Sequence, residues 1–224
     1  VSRGFYDTSF TVAITSATVG ASIYWTTNGS IPSPTNGSLY TAPVPVTKTT
    51  LLRAAAFLTN HIASEAETQT YLFLSDVLQQ PGNPPGYPTV WQAGYPADYA
   101  MDPEVVNHPQ YGATLPQDLR AIPTLSLVSD HEAFWHPSTG IYVDATRRGP
   151  GWERAASAEL FNGDNTTGFQ INCAVQMQGN ASRDNNRLAK HAFRLKFKAG
   201  YGPSKLNYAW FPGEVSQFDN IVLR

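Results

Sequence analysis

The sequence has little cysteine and little charge. Its 224 residues include one cysteine, Cys173, so no intrachain disulfide can form and cysteine usage does not indicate a redox compartment. Cys173 alternates with apolar residues, and we predict that it is a buried core thiol. Charged residues make up 14% of the chain and the net charge is −2. Since non-specific nucleic-acid binding requires a basic excess, nucleic acid is excluded as a partner.

Long apolar runs and familiar catalytic motifs are also missing. No run of 18 apolar residues occurs, so no membrane-spanning helix is predicted. The sequence contains neither a Gly-x-Ser-x-Gly elbow nor a Cys/His metal cluster. His131-Glu132-x-x-x-His136 is one residue longer than a zinc-peptidase motif, which rotates the second imidazole by ~100° around a helix. We therefore predict no metal site there.

The first third of the chain has the pattern of short strands separated by turns. Phe10, Val12 and Ile14 alternate, and the β-branched and aromatic stretch 23–27 ends at an Asn28-Gly29 turn. Strands at this spacing predict a small β-sandwich, which we assign to residues 1–75.

Three stretches within this region also carry a family resemblance: residues 20–32, 37–40 and 49–57. They resemble the chitobiase/β-hexosaminidase C-terminal type module, although Asn28 stands where that family usually has aspartate. The resemblance implies an immunoglobulin-like fold, an accessory role on extracellular bacterial proteins, and no catalysis.

The segment from 74 to 123 is rich in proline, which excludes long regular helices. It is too aromatic for a solvated linker, and we expect rings such as Trp91 to pack on a second domain. Asp102 before Pro103 predicts a helix start. Ser129, three residues before Glu132, predicts a capping box for a short helix through Trp135.

Residues 76–224 are predicted to form that second domain. Apolar alternation predicts strands at about 156–161, 168–179 and 193–198, which favours an antiparallel sheet with little helix. The predicted fold class is therefore mainly β with minor helix. It consists of a small immunoglobulin-like sandwich followed by an antiparallel-sheet α+β lobe.

The connection between two of these strands has the composition of a phosphate cradle. Gly179 permits close backbone approach, Ser182 offers a hydroxyl, Arg183 a guanidinium fork and Lys190 an ammonium group. The alternative is a polar β-hairpin connection whose basic residues are solvated.

A wider set of motifs resembles the CotH kinase family, named for spore coat protein H. The motifs lie at 125–128, 139–142, 148–154, 178–183, 190–194 and 218–224. The resemblance implies an atypical protein-kinase-like fold that uses ATP and Mg²⁺ and transfers phosphate to serine. It implies that Gly179, Ser182, Arg183 and Lys190 contact ATP. Three further residues are expected to form supporting ion pairs: Arg148, Glu153 and Arg154.

The sequence departs from the CotH pattern in its acidic residues. Kinase chemistry needs acids that hold metal ions and orient the acceptor hydroxyl, and in the family these follow the region where this chain ends. We therefore predict no catalytic and no metal-binding residues here, and an inactive fragment of a secreted or cell-surface kinase. The alternative is a non-catalytic extracellular protein that contacts carbohydrate or cell wall through its N-terminal module.

Overall fold

The protein is mainly β, as predicted. A computed structural model describes residues 1–91, 94–163, 168–184, 190–211, 213 and 215–224. The chain forms two compact units. Unit 1 contains residues 1–81, 100–124 and the segment that begins at Phe161, and unit 2 contains 82–99, 125–160 and the C-terminal part. The predicted division between residues 75 and 76 stays a prediction.

Unit 1 contains a two-sheet sandwich. Its strands are β1 (Gly4–Phe5), β2 (Phe10–Val12), β3 (Ser22–Thr26), β4 (Ser38–Leu39), β5 (Val44–Val46), β6 (Thr50–Phe57) and β7 (Glu67–Leu72). One sheet has the order β1-β7-β6-β3-β4, and β2 pairs with β5 in the other. Val12, Val46, Leu52 and Tyr71 are buried in its core. The alternating pattern of the sequence therefore places one face of β2, β5, β6 and β7 in a shared apolar interior.

Three short helices also belong to unit 1: α1 (Leu74–Leu78), α2 (Pro103–Val106) and α3 (Leu115–Ala121). The predicted cap of α2 is confirmed, because Asp102 Oδ1 accepts a hydrogen bond from the Glu104 amide at 2.8 Å. Arg120 in α3 forms a bidentate ion pair with Asp7 near the N-terminus, with N···O distances of 2.8 and 3.2 Å. This pair joins two distant parts of the sequence within unit 1.

Unit 2 is built on a five-stranded sheet with the order β10-β11-β12-β13-β16. Its strands are β10 (Thr124–Ser129), β11 (Arg154–Phe161), β12 (Gln170–Gln178), β13 (Ala192–Lys196) and β16 (Asn220–Leu223). Two small pairs accompany it, β8 (Val90–Trp91) with β9 (Tyr95–Pro96) and β14 (Leu206–Asn207) with β15 (Gln217–Phe218). The pairings of β12 with β11 and β13 are antiparallel, as predicted.

One face of this sheet forms the core of unit 2. Cys173, Val175 and Met177 alternate along β12 and are 0–2% exposed, and Leu195 in β13 is fully buried beside them. Cys173 is therefore a buried core thiol, as predicted, and burial raises its pKa to about 12. Trp91 is 3% exposed in the same core, as expected for the aromatic segment.

A short helix, α4 (His131–Trp135), follows β10 as predicted, but its cap differs. The predicted capping box at Ser129 is wrong. Asp130 is the N-cap, and its Oδ1 accepts from the Glu132 amide at 2.9 Å. Ser129 is the last residue of β10, and its hydroxyl donates to the Ala155 carbonyl of β11 at 2.7 Å. The Ser129 side chain therefore binds the neighbouring strand and does not cap α4.

None of the helices in the described part of the chain is long and apolar enough to cross a membrane.

Candidate functional site

The turn after β12 has a conformation that requires glycine. Gly179 has φ of +110°, and a Cβ at this position would lie 2.0 Å from Ser182 Oγ. Residues Ala181–Arg183 then form one turn of 3-10 helix. The structure therefore brings three of the predicted phosphate-contacting residues together: Gly179, Ser182 and Arg183.

Arg183 holds this turn through its guanidinium group. Nε donates to the Gly179 carbonyl at 2.9 Å, one terminal nitrogen donates to the Arg147 carbonyl at 2.7 Å, and the other donates to Met177. The residue is only 8% exposed. Burial, followed by repulsion from Arg148 and Arg194, lowers its pKa. Because all three nitrogens already donate to backbone carbonyls, Arg183 positions the turn and adds positive charge beneath it.

Lys190 lies on the protein surface, next to the buried His191. The Nδ1 of that histidine is 3.0 Å from the Ser182 carbonyl oxygen, which connects the start of β13 to the turn. The predicted cradle runs from residue 179 to 190, and residues 185–189 lie outside the described part of the chain. The assignment of Lys190 to phosphate stays a prediction.

Two of the residues expected in supporting ion pairs bind neutral groups instead. Arg148 donates to the Asn180 side-chain oxygen, which places an exposed guanidinium beside the Gly179 turn. Arg154 donates to the carbonyl groups of Gly151 and Thr139, and its guanidinium carbon lies 5.6 Å from the centroid of the Trp152 ring.

Glu153 is the acidic centre of the site, and its partners are two lysines that sequence reasoning did not name. Its side chain is 5% exposed. Lys196 Nζ lies 2.6 Å from Oε1, and Lys198 Nζ donates to Oε2. Burial by itself would raise the pKa of Glu153, but hydrogen bonds from both ammonium groups outweigh it, and the pKa is lowered. The carboxylate is therefore ionised and holds two cations at the sheet.

The two-residue period of a strand explains why three cationic side chains lie on one face of β13 and its extension. Arg194, Lys196 and Lys198 alternate with the buried residues Leu195 and Phe197, so they share the face opposite the core. That spacing is the sequence signal that could have identified them. What the sequence does not reveal is that Glu153, more than forty residues away, contacts Lys196 and Lys198.

Arg194 has an unsatisfied donor on this face. It lies directly opposite Gln176 in the β12–β13 register. Its Nε is buried and has no hydrogen-bond partner among the described residues. A buried donor without a protein partner is costly, and a water molecule or an ion can satisfy it.

A cavity of about 180 Å³ is bounded by Arg183 of the Gly179 turn and by Gln176, the residue opposite Arg194. We call it the basic pocket; its lining residues are Arg147, Arg148, Gly149, Trp152, Gln176, Met177 and Arg183. Arg147 is neutralised by Asp144, 2.9 Å from its Nε. Arg148 and Arg183 have no such acidic partner in the lining, so the pocket is positively charged. Its chemistry suits an anion, with phosphate groups favoured by the guanidinium donors.

The comparison with protein families gives one result. Residues 1–69 match the chitobiase/beta-hexosaminidase C-terminal domain. No curated protein and no solved structure matches the chain. The family match stops before unit 2 begins, so the CotH resemblance of the later residues stays a prediction.

Hydrogen bonds within the turn explain why asparagine can occupy position 28, where the chitobiase-type family usually has aspartate. Asn28 Oδ1 accepts hydrogen bonds from the amide and hydroxyl groups of Ser30, at 3.1 and 2.6 Å. The buried Arg53 donates to the Gly29 carbonyl at 2.8 Å and fixes the same turn from below. Asparagine supplies the acceptor oxygen that an aspartate would supply, so these hydrogen bonds do not require aspartate at position 28.

Proposed function

We propose that unit 2 is the nucleotide-binding part of a CotH-like atypical protein kinase, a family whose members transfer phosphate from ATP to serine. The observation that carries the proposal is the concentration of cations on one sheet face and its adjoining pocket. Lys196 and Lys198 hold the carboxylate of Glu153. Arg194 follows the same alternation along β13 and lies opposite Gln176, which lines the basic pocket together with Arg148. A local excess of positive charge in a chain of net charge −2 attracts anionic ligands.

The Glu153–Lys196 pair supports a kinase-type role for this anion. In protein kinases, a lysine on a strand contacts ATP phosphates, and a glutamate holds that lysine in place. Lys196 lies on β13, and its ammonium group is 2.6 Å from a buried glutamate oxygen. Its side chain keeps 30% of its surface exposed, so it is held by Glu153 and still accessible to a ligand.

The predicted ATP contacts fit this arrangement with divided roles. Gly179 and Ser182 would shape the turn beside the phosphates, and Arg183 would support it from beneath. Arg148 and Lys190 are exposed and would be able to approach the ligand. ATP, when bound, would supply the phosphoryl group, and the chain's own residues would bind and orient its phosphates.

The residues described here do not provide a site for Mg²⁺. Among them, no three His, Cys, Asp or Glu side chains lie close enough together to hold a metal ion. We therefore assign no residue to magnesium and derive no transfer step. The proposal for this chain is nucleotide binding without phosphoryl transfer.

Calorimetry of the 224-residue chain with Mg-ATP tests this proposal. We expect weak but measurable binding. Arg148→Ala and Lys196→Ala should each weaken it by roughly ten- to hundredfold, because a hydrogen bond to a charged group contributes about 1.5–3 kcal/mol. Lys205→Ala is the matched control, since Lys205 pairs with Asp219 on the surface.

Two results would contradict the proposal. One is no heat of binding with ATP at any accessible concentration. The other is equal affinity in the Arg148→Ala, Lys196→Ala and control variants. Testing Lys190→Ala in the same series separates the sequence-predicted lysine from the sheet lysines.

A second candidate function rests on the family match at residues 1–69. We propose that unit 1 acts as an accessory module on a secreted or cell-surface protein and contacts carbohydrate or cell wall. A glycan array probed with the chain tests it. Glycan binding that the Arg148→Ala and Lys196→Ala variants retain would favour this role. The absence of binding to every glycan on the array would contradict it.

A further inference from the structure

Unit 2 contains a second cavity, of about 560 Å³, whose walls are aromatic and apolar. We call it the indole cavity. The lining residues that matter here are Pro88, Thr89, Trp91, Trp135, Pro137 and Asp144. Mostly apolar walls with a few placed polar groups are typical of small-molecule sites.

The Trp135 indole is the ring that offers surface to a ligand, and the buried Trp91 indole supports it. The rings of Trp91 and Trp135 are nearly parallel, with an interplanar angle of 19° and centroids 6.4 Å apart. Trp91 Nε1 donates to the Tyr99 hydroxyl at 3.1 Å, and that hydroxyl donates to the Pro88 carbonyl at 2.9 Å. These bonds fix the wall before any ligand arrives. Trp135 is only half-buried and so keeps surface for a ligand.

Asp144 is the polar group that decides the ligand class. Its Oδ2 accepts from Arg147 Nε at 2.9 Å, and its Oδ1 accepts from the Thr146 hydroxyl at 3.3 Å. Each carboxylate oxygen can accept more than one hydrogen bond, so acceptor capacity remains. Arg147 also neutralises the charge. Aromatic walls beside an unpaired carboxylate would favour an organic cation, whereas a neutralised carboxylate favours a neutral ligand with hydroxyl donors.

We propose that the indole cavity binds a neutral carbohydrate ring. The C–H face of the sugar packs against the exposed surface of the Trp135 indole, and a sugar hydroxyl donates to Asp144. The indole cavity and the basic pocket share no lining residue, and the Asp144–Arg147 ion pair connects them. It also lies outside the residues 1–69 to which the second candidate function assigns sugar contact.

Fluorescence and calorimetric titration of the whole chain test the site. The probes are chitotriose, cellotriose and maltotriose at millimolar concentrations, with tetramethylammonium as a cationic probe. We expect at least one trisaccharide to bind and tetramethylammonium not to bind. Asp144→Ala should weaken that trisaccharide about tenfold, the loss expected for one hydrogen bond to a charged acceptor.

Variants separate a lost contact from a damaged fold. Trp135→Phe keeps an aromatic ring in the wall and should weaken binding less than Trp135→Ala. Asp219→Ala removes a surface ion pair with Lys205 and should leave sugar affinity unchanged. Thermal unfolding of Asp144→Ala should resemble that of Asp219→Ala.

Three outcomes would overturn the inference. The first is no binding of any of the three trisaccharides, and the second is preferential binding of tetramethylammonium. The third is trisaccharide binding that Asp144→Ala and Trp135→Ala leave unchanged, which would locate the sugar elsewhere. The nucleotide proposal is tested with ATP and with the Arg148→Ala and Lys196→Ala variants. A failure to bind sugar therefore does not contradict the proposed nucleotide site.

Discussion

Replacing Glu153 by glutamine should destabilise unit 2. The change keeps the size of the side chain and one acceptor oxygen but removes the charge that holds Lys196 at 2.6 Å. Glu153 is 5% exposed and the Lys196 side chain is 30% exposed, so this bond lies largely out of water. We count only this bond, because Lys198 is solvated. A hydrogen bond between charged groups contributes about 1.5–3 kcal/mol, which is the expected loss of unfolding free energy.

The loss is measurable by thermal or urea unfolding. For a chain of this size, 1 kcal/mol shifts Tm by about 2–4 °C, so Glu153→Gln should lower Tm by about 3–12 °C. Tryptophan fluorescence reports mainly on unit 2, which contains four of the five tryptophans: Trp91, Trp135, Trp152 and Trp210. Glu132→Gln is the control, because its side chain is 65% exposed and the change should cost no more than about 0.5 kcal/mol.

The pH dependence provides an independent check. The pKa of Glu153 is lowered in the folded state, so its contribution is fully present above the unfolded-state pKa of about 4.3. It is lost as the pH falls through the lower folded-state pKa. The stability gap between the wild type and Glu153→Gln should therefore narrow below about pH 4.3. Equal stability at pH 7, or a gap that does not narrow in acid, would refute the reasoning.

Three further predictions concern the Gly179 turn and the core. Gly179→Ala should cost about 1–3 kcal/mol in urea unfolding, because of its positive φ and a clash with Ser182; Gly200→Ala, with φ of +92° and no such clash, should cost less. Arg183→Lys cannot keep three carbonyl bonds in one plane and should lose about 1–3 kcal/mol; an unchanged urea midpoint would contradict this. Cys173 should not react with a thiol reagent at pH 8 in the folded protein and should react at once in urea, because it is fully buried with a pKa of about 12; rapid reaction of the folded protein would contradict the assignment.

Much of the fold could be predicted because local periodicity reports burial. The alternation of Phe169, Ile171, Cys173 and Val175 predicted β12 and its buried face, since a strand with one face in a core must alternate. The cap at Asp102 was predictable for the same reason: the interaction spans only two residues. The capping box at Ser129 failed because the competing partner, Ala155, is 26 residues away.

In the candidate site, too, the residue types could be predicted from the sequence, and their partners could not. The residues around Gly179 could be selected by type, since close backbone approach and phosphate binding require glycine, hydroxyl and guanidinium groups. Their roles could not, because the carbonyl groups that engage Arg183 come partly from Arg147, 36 residues earlier. The partners of Glu153 were missed for the same reason, since Lys196 is 43 residues away.

The sequence by itself determined the strand periodicity, the chitobiase-type module at the N-terminus and the buried state of Cys173, because each depends on residue type and near neighbours. Only the tertiary structure decided which charges meet. Pairing β11 with β12, and β12 with β13, brings Glu153 against Lys196 and Lys198 and leaves Arg148 and Arg194 without acidic partners among the residues described. Electrostatic partners depend on distance in space and on burial, and strand order sets both.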